Sequence, residues 1–520
     1  MKLYCGNILT CDSENNVYKY LLEDKGIINY VGIEKPKINN GTEIIDLKDK
    51  ALIPTFCDTH SHFASYAVLA KAVMLGKSKS NMDMLLLIAK EDSLLKKDKT
   101  IIGFGAHSNV EEGKLLSKYD LDKVVPNRYI VVITTDGHTA IINQKTLDKL
   151  PKNMANIRGY DANTGIMSKE AFYKLVEFLP KIIKNTDIFS YMQGAIDELI
   201  TQGFGMVHAA SGSGFPADLD VDLLRWIGKG QDNGFQLRIF FQTFNTEKVL
   251  KRKLTRLGGC FETALDGSLT SRDAALIEPY CNTSNTGILY HQDEELYEKI
   301  SKAHNLNLQV EMHAIGDRAF DQATRIFKRV LDENPRPDHR HGIIHCSLVT
   351  DEGVQICKDY GIQIITQLAF IDLSGTMFKP MYEAIGERVY TAEQHSRFMR
   401  KGIMISASSD APITIPNPIE WLNKTCNNLN EVNRLTIQEA LKVCTYNGYW
   451  ATFDEKDRGS LEQGKIADMV ILSENPYEMD KERLSELKVI STILKGKKYI
   501  SKKRNLFIPI LKGILRNWKC

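Results

Sequence analysis

Ten cysteines are present in 520 residues, but none forms a C-x-x-C pair. A chain this long needs no covalent staples for its core, so scattered thiols point to a reducing cytoplasm rather than a disulfide framework. An excess of one charge is also missing. The 67 Lys and Arg stand against 65 Asp and Glu, a formal net charge of +2, which excludes chain-wide attraction to nucleic acid or acidic lipid. No apolar run reaches membrane-spanning length, and the start, Met1-Lys2-Leu3-Tyr4-Cys5-Gly6-Asn7, lacks the apolar core of a signal peptide. Internal repeats and low-complexity tracts are absent as well. What remains is the expectation of a cytoplasmic globular protein, and a composition of 43% hydrophobic and 25% charged residues fits one.

The length exceeds one average domain and suits a barrel enzyme with insertions and a small accessory domain. Residues 1 to 50 read as short strands, Lys2 to Thr10, Tyr18 to Glu23, Gly26 to Val31 and Thr42 to Leu47, separated by turns such as Asn39-Asn40-Gly41. A matching pattern returns at Gly459 to Leu472 and Val489 to Tyr499. Residues 1–54 and 456–500 are therefore expected to close into one discontinuous β-sandwich. Between them, apolar strand-like runs alternate with helix-like segments, which predicts an α/β fold, a (β/α)8 TIM barrel over 55–455. Residues 65–170 are too long for one connection and predict an insertion.

In such a barrel chemistry gathers where strands end. The run Ala51 to Phe63 ends in His60-Ser61-His62, two imidazoles leaving one face of an extended chain. His313 ends Gln309-Val310-Glu311-Met312, His345 ends Gly342-Ile343-Ile344, and Asp410 follows Ser406-Ala407-Ser408-Ser409. A single histidine in such a place is more often structural than a ligand. The joint order His-x-His, His, His, Asp is harder to obtain by chance and predicts a catalytic metal site.

Several stretches resemble the amidohydrolase superfamily, in particular its YtcJ-like (amidohydrolase 3) branch, which includes N-substituted formamide deformylases. They are Ile53 to His62, Asp136-Gly137-His138 to Asn143, Asp266-Gly267-Ser268 with Ala274 to Tyr280, His313 to Ala319, Arg340 to His345, Ser409-Asp410-Ala411-Pro412 and Leu461 to Asp468. The resemblance runs from residue 1 to about residue 500. It implies a hydrolase of carbon–nitrogen bonds other than peptide bonds, acting on a small molecule through a metal-activated hydroxide. It also implies two divalent cations, zinc first and iron, manganese or nickel as alternatives. Many relatives carry a bridging carboxylated lysine four residues ahead of the Asp-Gly-Ser aspartate. Here that place holds Glu262, with Cys260 the alternative bridge two residues earlier on the same strand face. The implied metal ligands are thus His60, His62, Glu262, His313, His345 and Asp410, with Asp410 also the proton shuttle. His138 and His341 match motif positions that imply substrate contact, and Asp317 with Arg318 reads as a hydrogen-bonding brace.

Two other functions compete with this one. A one-metal deaminase of heterocyclic bases would carry a glutamate three residues after the strand-five histidine, where this chain has Gly316 followed by Asp317. A catalytically silent barrel with a binding role is the other. The tail, 501–520, is basic and aliphatic, which makes membrane-surface contact one reading and packing on its own protein or in a homodimer another. No nucleic-acid partner is expected.

Overall fold

The computed structural model describes residues 1–135, 137, 139–370, 378–428, 430–501, 512–513 and 515–516. It contains two compact units, one formed by Met1–Phe63, Ile196–Ser211 and Leu224–Cys520, the other by Ala64–Ala195 with Gly212–Leu223.

The first unit is built on eight parallel strands in the order of the chain: β1 (Phe56–Ser61), β2 (Phe204–Ser211), β3 (Gln236–Phe241), β4 (Arg256–Ala264), β5 (Gln309–Ala314), β6 (Gly342–His345), β7 (Gln363–Thr366) and β8 (Ile405–Ala407). Every residue of β1, β2 and β5 to β8 is buried, as in parallel strands covered on both faces. The outer strands then meet. The Asp410 N–H donates to the His60 carbonyl at 2.8 Å and the His62 N–H to the Ala411 carbonyl at 2.8 Å, while Thr59 Oγ1 donates to the Ala407 carbonyl at 2.9 Å. These bonds bring the sheet round into a nearly closed barrel.

Helices of ordinary amphipathic pattern follow the later strands. Asp317–Glu333, after β5, buries Ala319, Phe320, Ala323, Ile326, Phe327, Val330 and Leu331, a 3.6-residue stripe whose opposite face is charged. Truncating Phe320 or Phe327 to alanine would cost about 3–5 kcal/mol. The helix Asp351–Tyr360 starts on the Thr350 hydroxyl and stops at Gly361, whose φ of +68° suits glycine.

A seven-stranded mixed sheet joins both chain ends in the order Lys497–Lys498, Val489–Leu494, Met469–Leu472, Glu43–Pro54, Lys2–Leu9, Val17–Asp24, Ile27–Gly32. Only Lys2–Leu9 against Glu43–Pro54 is parallel. Its core packs Tyr4, Ile8, Leu21, Leu52, Met469 and Ile493. Because Glu43–Pro54 runs on into β1, this sheet fixes where the first barrel strand begins.

The second unit has its own six-stranded sheet, centred on Ile130–Thr134 and Thr139–Ile142, over a core containing Met84, Ile88, Leu121 and Val132. Asn143 caps the helix Gln144–Lys149 by accepting the Thr146 N–H, and its amide donates to the Arg128 carbonyl at 2.8 Å. His138 lies outside the described residues. So does most of 501–520, where Lys512 and Arg516 pair with Asp232. Among the described residues no helix is long and apolar enough to cross a membrane.

Candidate metal centre

The C-terminal ends of the barrel strands bring together His60 and His62 from β1 and its edge, Cys260 from β4, His313 from β5, His345 from β6 and Asp410 from beyond β8. They form two groups of donor atoms, His60, His62, Cys260 and Asp410 in one and Cys260, His313 and His345 in the other, each with its atoms within 4.8 Å of one another. Cys260 belongs to both. Its Sγ lies 3.6 Å from His60 Nε2 and 3.4 Å from His313 Nδ1.

Glu262, expected to bridge, stands in neither group. It is exposed, and its carboxylate turns away to accept the Phe244 N–H at 3.2 Å. The reason lies in β4. Its pairing with β5 jumps from Gly259 opposite Met312 to Ala264 opposite His313, so residues 260–263 bulge out of the ladder and lose strand alternation. Gly258 begins the distortion at φ +133°, where a Cβ would stand 2.0 Å from the Glu311 carbonyl oxygen. Gln242 then holds the Cys260 N–H at 2.9 Å, and the Thr263 hydroxyl donates to the Cys260 carbonyl at 3.0 Å.

His341 is likewise placed away from the cluster. It precedes β6 at the end opposite His345, fully buried, with Nδ1 accepting the Val310 N–H at 3.0 Å and Nε2 sharing a hydrogen bond with His304 at 2.9 Å. Its ring stacks on Phe327. With both nitrogens engaged by protein, it has no atom left for a substrate, and the expected contact is corrected to a structural role.

The hydrogen bonds fix which ring nitrogens face the centre. Ser408 Oγ donates to the Thr366 carbonyl and so accepts from Gln367 Nε2 at 2.9 Å. That orientation aims Gln367 Oε1 at His345 Nδ1, 2.8 Å away, which must therefore carry the proton. His345 Nε2 is left as a buried acceptor without a partner. His313 Nε2 faces two acceptors, the Gly267 carbonyl at 3.2 Å and Asp266 Oδ1 at 3.4 Å, so its Nδ1 lone pair faces Cys260. Asp266 is itself held by the backbone amides of Ala275, Ile315 and Gly316.

Asp58 does the same for the seam. Its Oδ1 accepts the Ser409 N–H at 2.9 Å and its Oδ2 the Ser409 hydroxyl at 2.6 Å. Burial pushes this carboxyl up to about 7 against those hydrogen bonds. Asp410 Oδ1 lies 3.2 Å from His60 Nε2 and 3.3 Å from His62 Nε2, yet has no hydrogen-bond partner of good geometry. The backbone there is strained: His345 and Asp410 adopt φ of +75° and +52°, left-handed conformations that non-glycine residues hold only when their surroundings dictate it.

Electrostatics fits the same cluster to a cation. Burial opposes charge on Asp410, but the facing His60 and His62 imidazoles hold its carboxyl well below the usual range. Burial also opposes a Cys260 thiolate, which His313 and His60 nevertheless favour strongly. In return, and against their own burial, His60 is pushed up to about 10 by Cys260 and Asp410, and His62 to about 9 by Asp410 and Cys260. Two buried anions demand compensating positive charge, from protons on the imidazoles or from divalent ions. Two orphaned acceptors and a thiolate common to both groups are the donor set that a borderline divalent metal requires.

The sequence profile of the amidohydrolase family matches residues 43–499. The chain belongs to the amidohydrolase family. Membership makes it a hydrolase acting on carbon–nitrogen bonds. Over 525 residues it is 26% identical to YtcJ of Bacillus subtilis, covering 94% of this chain and 97% of that one. It is 21% identical over 531 residues to the N-substituted formamide deformylase of Arthrobacter pascens, covering 94% and 96%. Among solved structures, a metal-dependent hydrolase of Pyrococcus furiosus shares the fold with a TM-score of 0.77 at 24% identity, over 92% of this chain and all of that one.

Four residues that hold the donor cluster in place escaped the sequence reading as individual contributors. Asp58 had a signal, since it sits two residues before His60 and so on the same strand face. Asp266 was visible only as part of a motif. Gln367 and Gln242 act through hydrogen bonds between strand ends, which no local pattern encodes.

Proposed function

We propose that this chain hydrolyses the amide or formamide bond of a small molecule at a centre of two divalent cations that share Cys260. The observation that carries the reading is the position of Cys260 Sγ, common to both donor groups. His60 Nε2, His62 Nε2 and Asp410 would complete one site, and His313 Nδ1 with His345 Nε2 the other. When bound, divalent ions supply the Lewis acidity that makes water nucleophilic near neutral pH and polarises a carbonyl. The protein's own part is orientation and proton transfer. Gln367 and Asp266 lock the two imidazoles in the tautomers that leave a lone pair inward. Asp410, carboxylate by environment, would take the proton from the attacking water and return it to the departing nitrogen. The relative named for formamide deformylation supports this bond type. Deamination of a heterocycle fits less well, because the Asp317 carboxylate that follows His313 is committed to the Ile277 N–H at 2.8 Å.

The test is a panel of N-formyl, N-acetyl, dipeptide and cyclic-amide compounds with protein loaded with zinc, manganese, iron or nickel. Release of amine from the N-formyl or N-acetyl compounds is expected. Turnover confined to dipeptides, or none in any metal form, would reject the proposal.

A further inference from the structure

Apolar side chains lie against the donor cluster. Phe261, inside the bulge beside Cys260, has φ of +55° and leaves its side chain 55% exposed. Its edge meets the His62 ring at a centroid distance of 5.5 Å. On the other side Phe370 stacks on His345, centroids 5.8 Å apart and planes 14° from parallel. Ile413 and Ile415 follow Asp410 and are 62% and 64% exposed, the Ile413 N–H folded back onto the Asp410 carbonyl. Phe261, Phe370 and Ile413 come from three strand ends and touch or adjoin His62, His345 and Asp410 in turn, with Ile415 two residues beyond Ile413. Holding a phenylalanine in the left-handed region and leaving it in water gains nothing for folding. Both costs are offset only when something apolar covers the ring.

We infer that Phe261, with Phe370, Ile413 and Ile415, forms an apolar collar around the centre, and that the substrate carries an aromatic or branched-alkyl group next to the scissile bond. A free carboxylate or ammonium at that place would be stripped of water against phenyl and isoleucine without a partner. The inference rests on the amide hydrolysis proposed above and narrows its substrate class.

Two formamides test it, N-(2-phenylethyl)formamide and N-formylglycine. The wild type should prefer the phenyl compound in kcat/KM. Phe261→Ser should reduce that preference about tenfold and Phe261→Leu should restore most of it, chiefly through KM, because an apolar contact is made alike in ground and transition states. Phe261 is exposed, so neither variant threatens folding. A second arm needs no catalysis: in the Asp410→Asn background, saturation-transfer NMR should mark the ligand's phenyl protons more strongly than its formyl proton, and adding Phe261→Ser should erase the difference. Equal preference for the two formamides, or phenyl saturation untouched by Phe261→Ser, overturns the collar. If neither formamide turns over but phenyl saturation depends on Phe261, the collar stands and amide hydrolysis falls.

Discussion

Cys260→Ala removes a donor from both cation sites at once, which makes it the sharpest perturbation of the proposed centre. A divalent site holding about 12 kcal/mol assigns roughly 3 kcal/mol to each of four protein ligands and roughly 4 kcal/mol to each of three, or about two and three decades in Kd. The four-donor site should therefore weaken about a hundredfold and the three-donor site about a thousandfold. Glu262→Ala loses only an exposed carboxylate on the Phe244 N–H, worth about 0.5 kcal/mol of stability, and should leave affinity within about threefold. The measurements are elemental analysis of protein purified without added metal and zinc titration against a chelator of known affinity. Cys260→Asp, which restores an anion at the same backbone position, should recover part of the loss, whereas Cys260→Ser should not. A larger drop for Glu262→Ala than for Cys260→Ala would refute the reasoning and return the bridge to the glutamate.

Asp410→Asn should fold and bind metal, because asparagine tolerates the φ of +52° found there, but kcat should fall by about 10²–10⁴, some 3–5 kcal/mol of barrier; retained turnover with full metal content removes Asp410 as proton carrier. Gln367→Leu frees the His345 ring to take the wrong tautomer, and should weaken metal binding about 10–100-fold in the same chelator titration; an unchanged affinity contradicts the assigned orientation. His395 is pushed down to about 4 by burial, while its unfolded value is about 6.5. As pH falls from 6.5 to 4 the unfolded chain takes up a proton that the native chain refuses, so the wild type should lose about 3 kcal/mol relative to His395→Gln across that window and nothing above it. Urea midpoints at pH 7.5, 6 and 4.5 read the difference, and a constant gap disproves the assignment.

The barrel and the joined ends were legible because buried parallel strands write themselves as apolar runs, and because turn residues punctuate both termini. His60, His62, His313, His345 and Asp410 stood out because each lies at or just past the end of such a run, and their donor atoms lie together in the structure. The choice between Glu262 and Cys260 was not, because strand alternation puts both on one face and only the four-residue bulge separates them. The bulge depends on Gly258 tolerating close approach to Glu311 in the next strand, a contact without any sequence signature. His341 misled for the opposite reason: it lies in a motif shared with relatives, but at the end of β6 remote from the cluster.

The seam between β1 and β8 has a consequence for biosynthesis. Asp58 finds its partner Ser409 351 positions downstream, so a nascent polypeptide on the ribosome exposes His60 and His62 long before the residues that complete their site are translated. In the proposed centre the donor set that includes His60 and His62 would be complete only once translation has delivered Asp410, just beyond the last barrel strand.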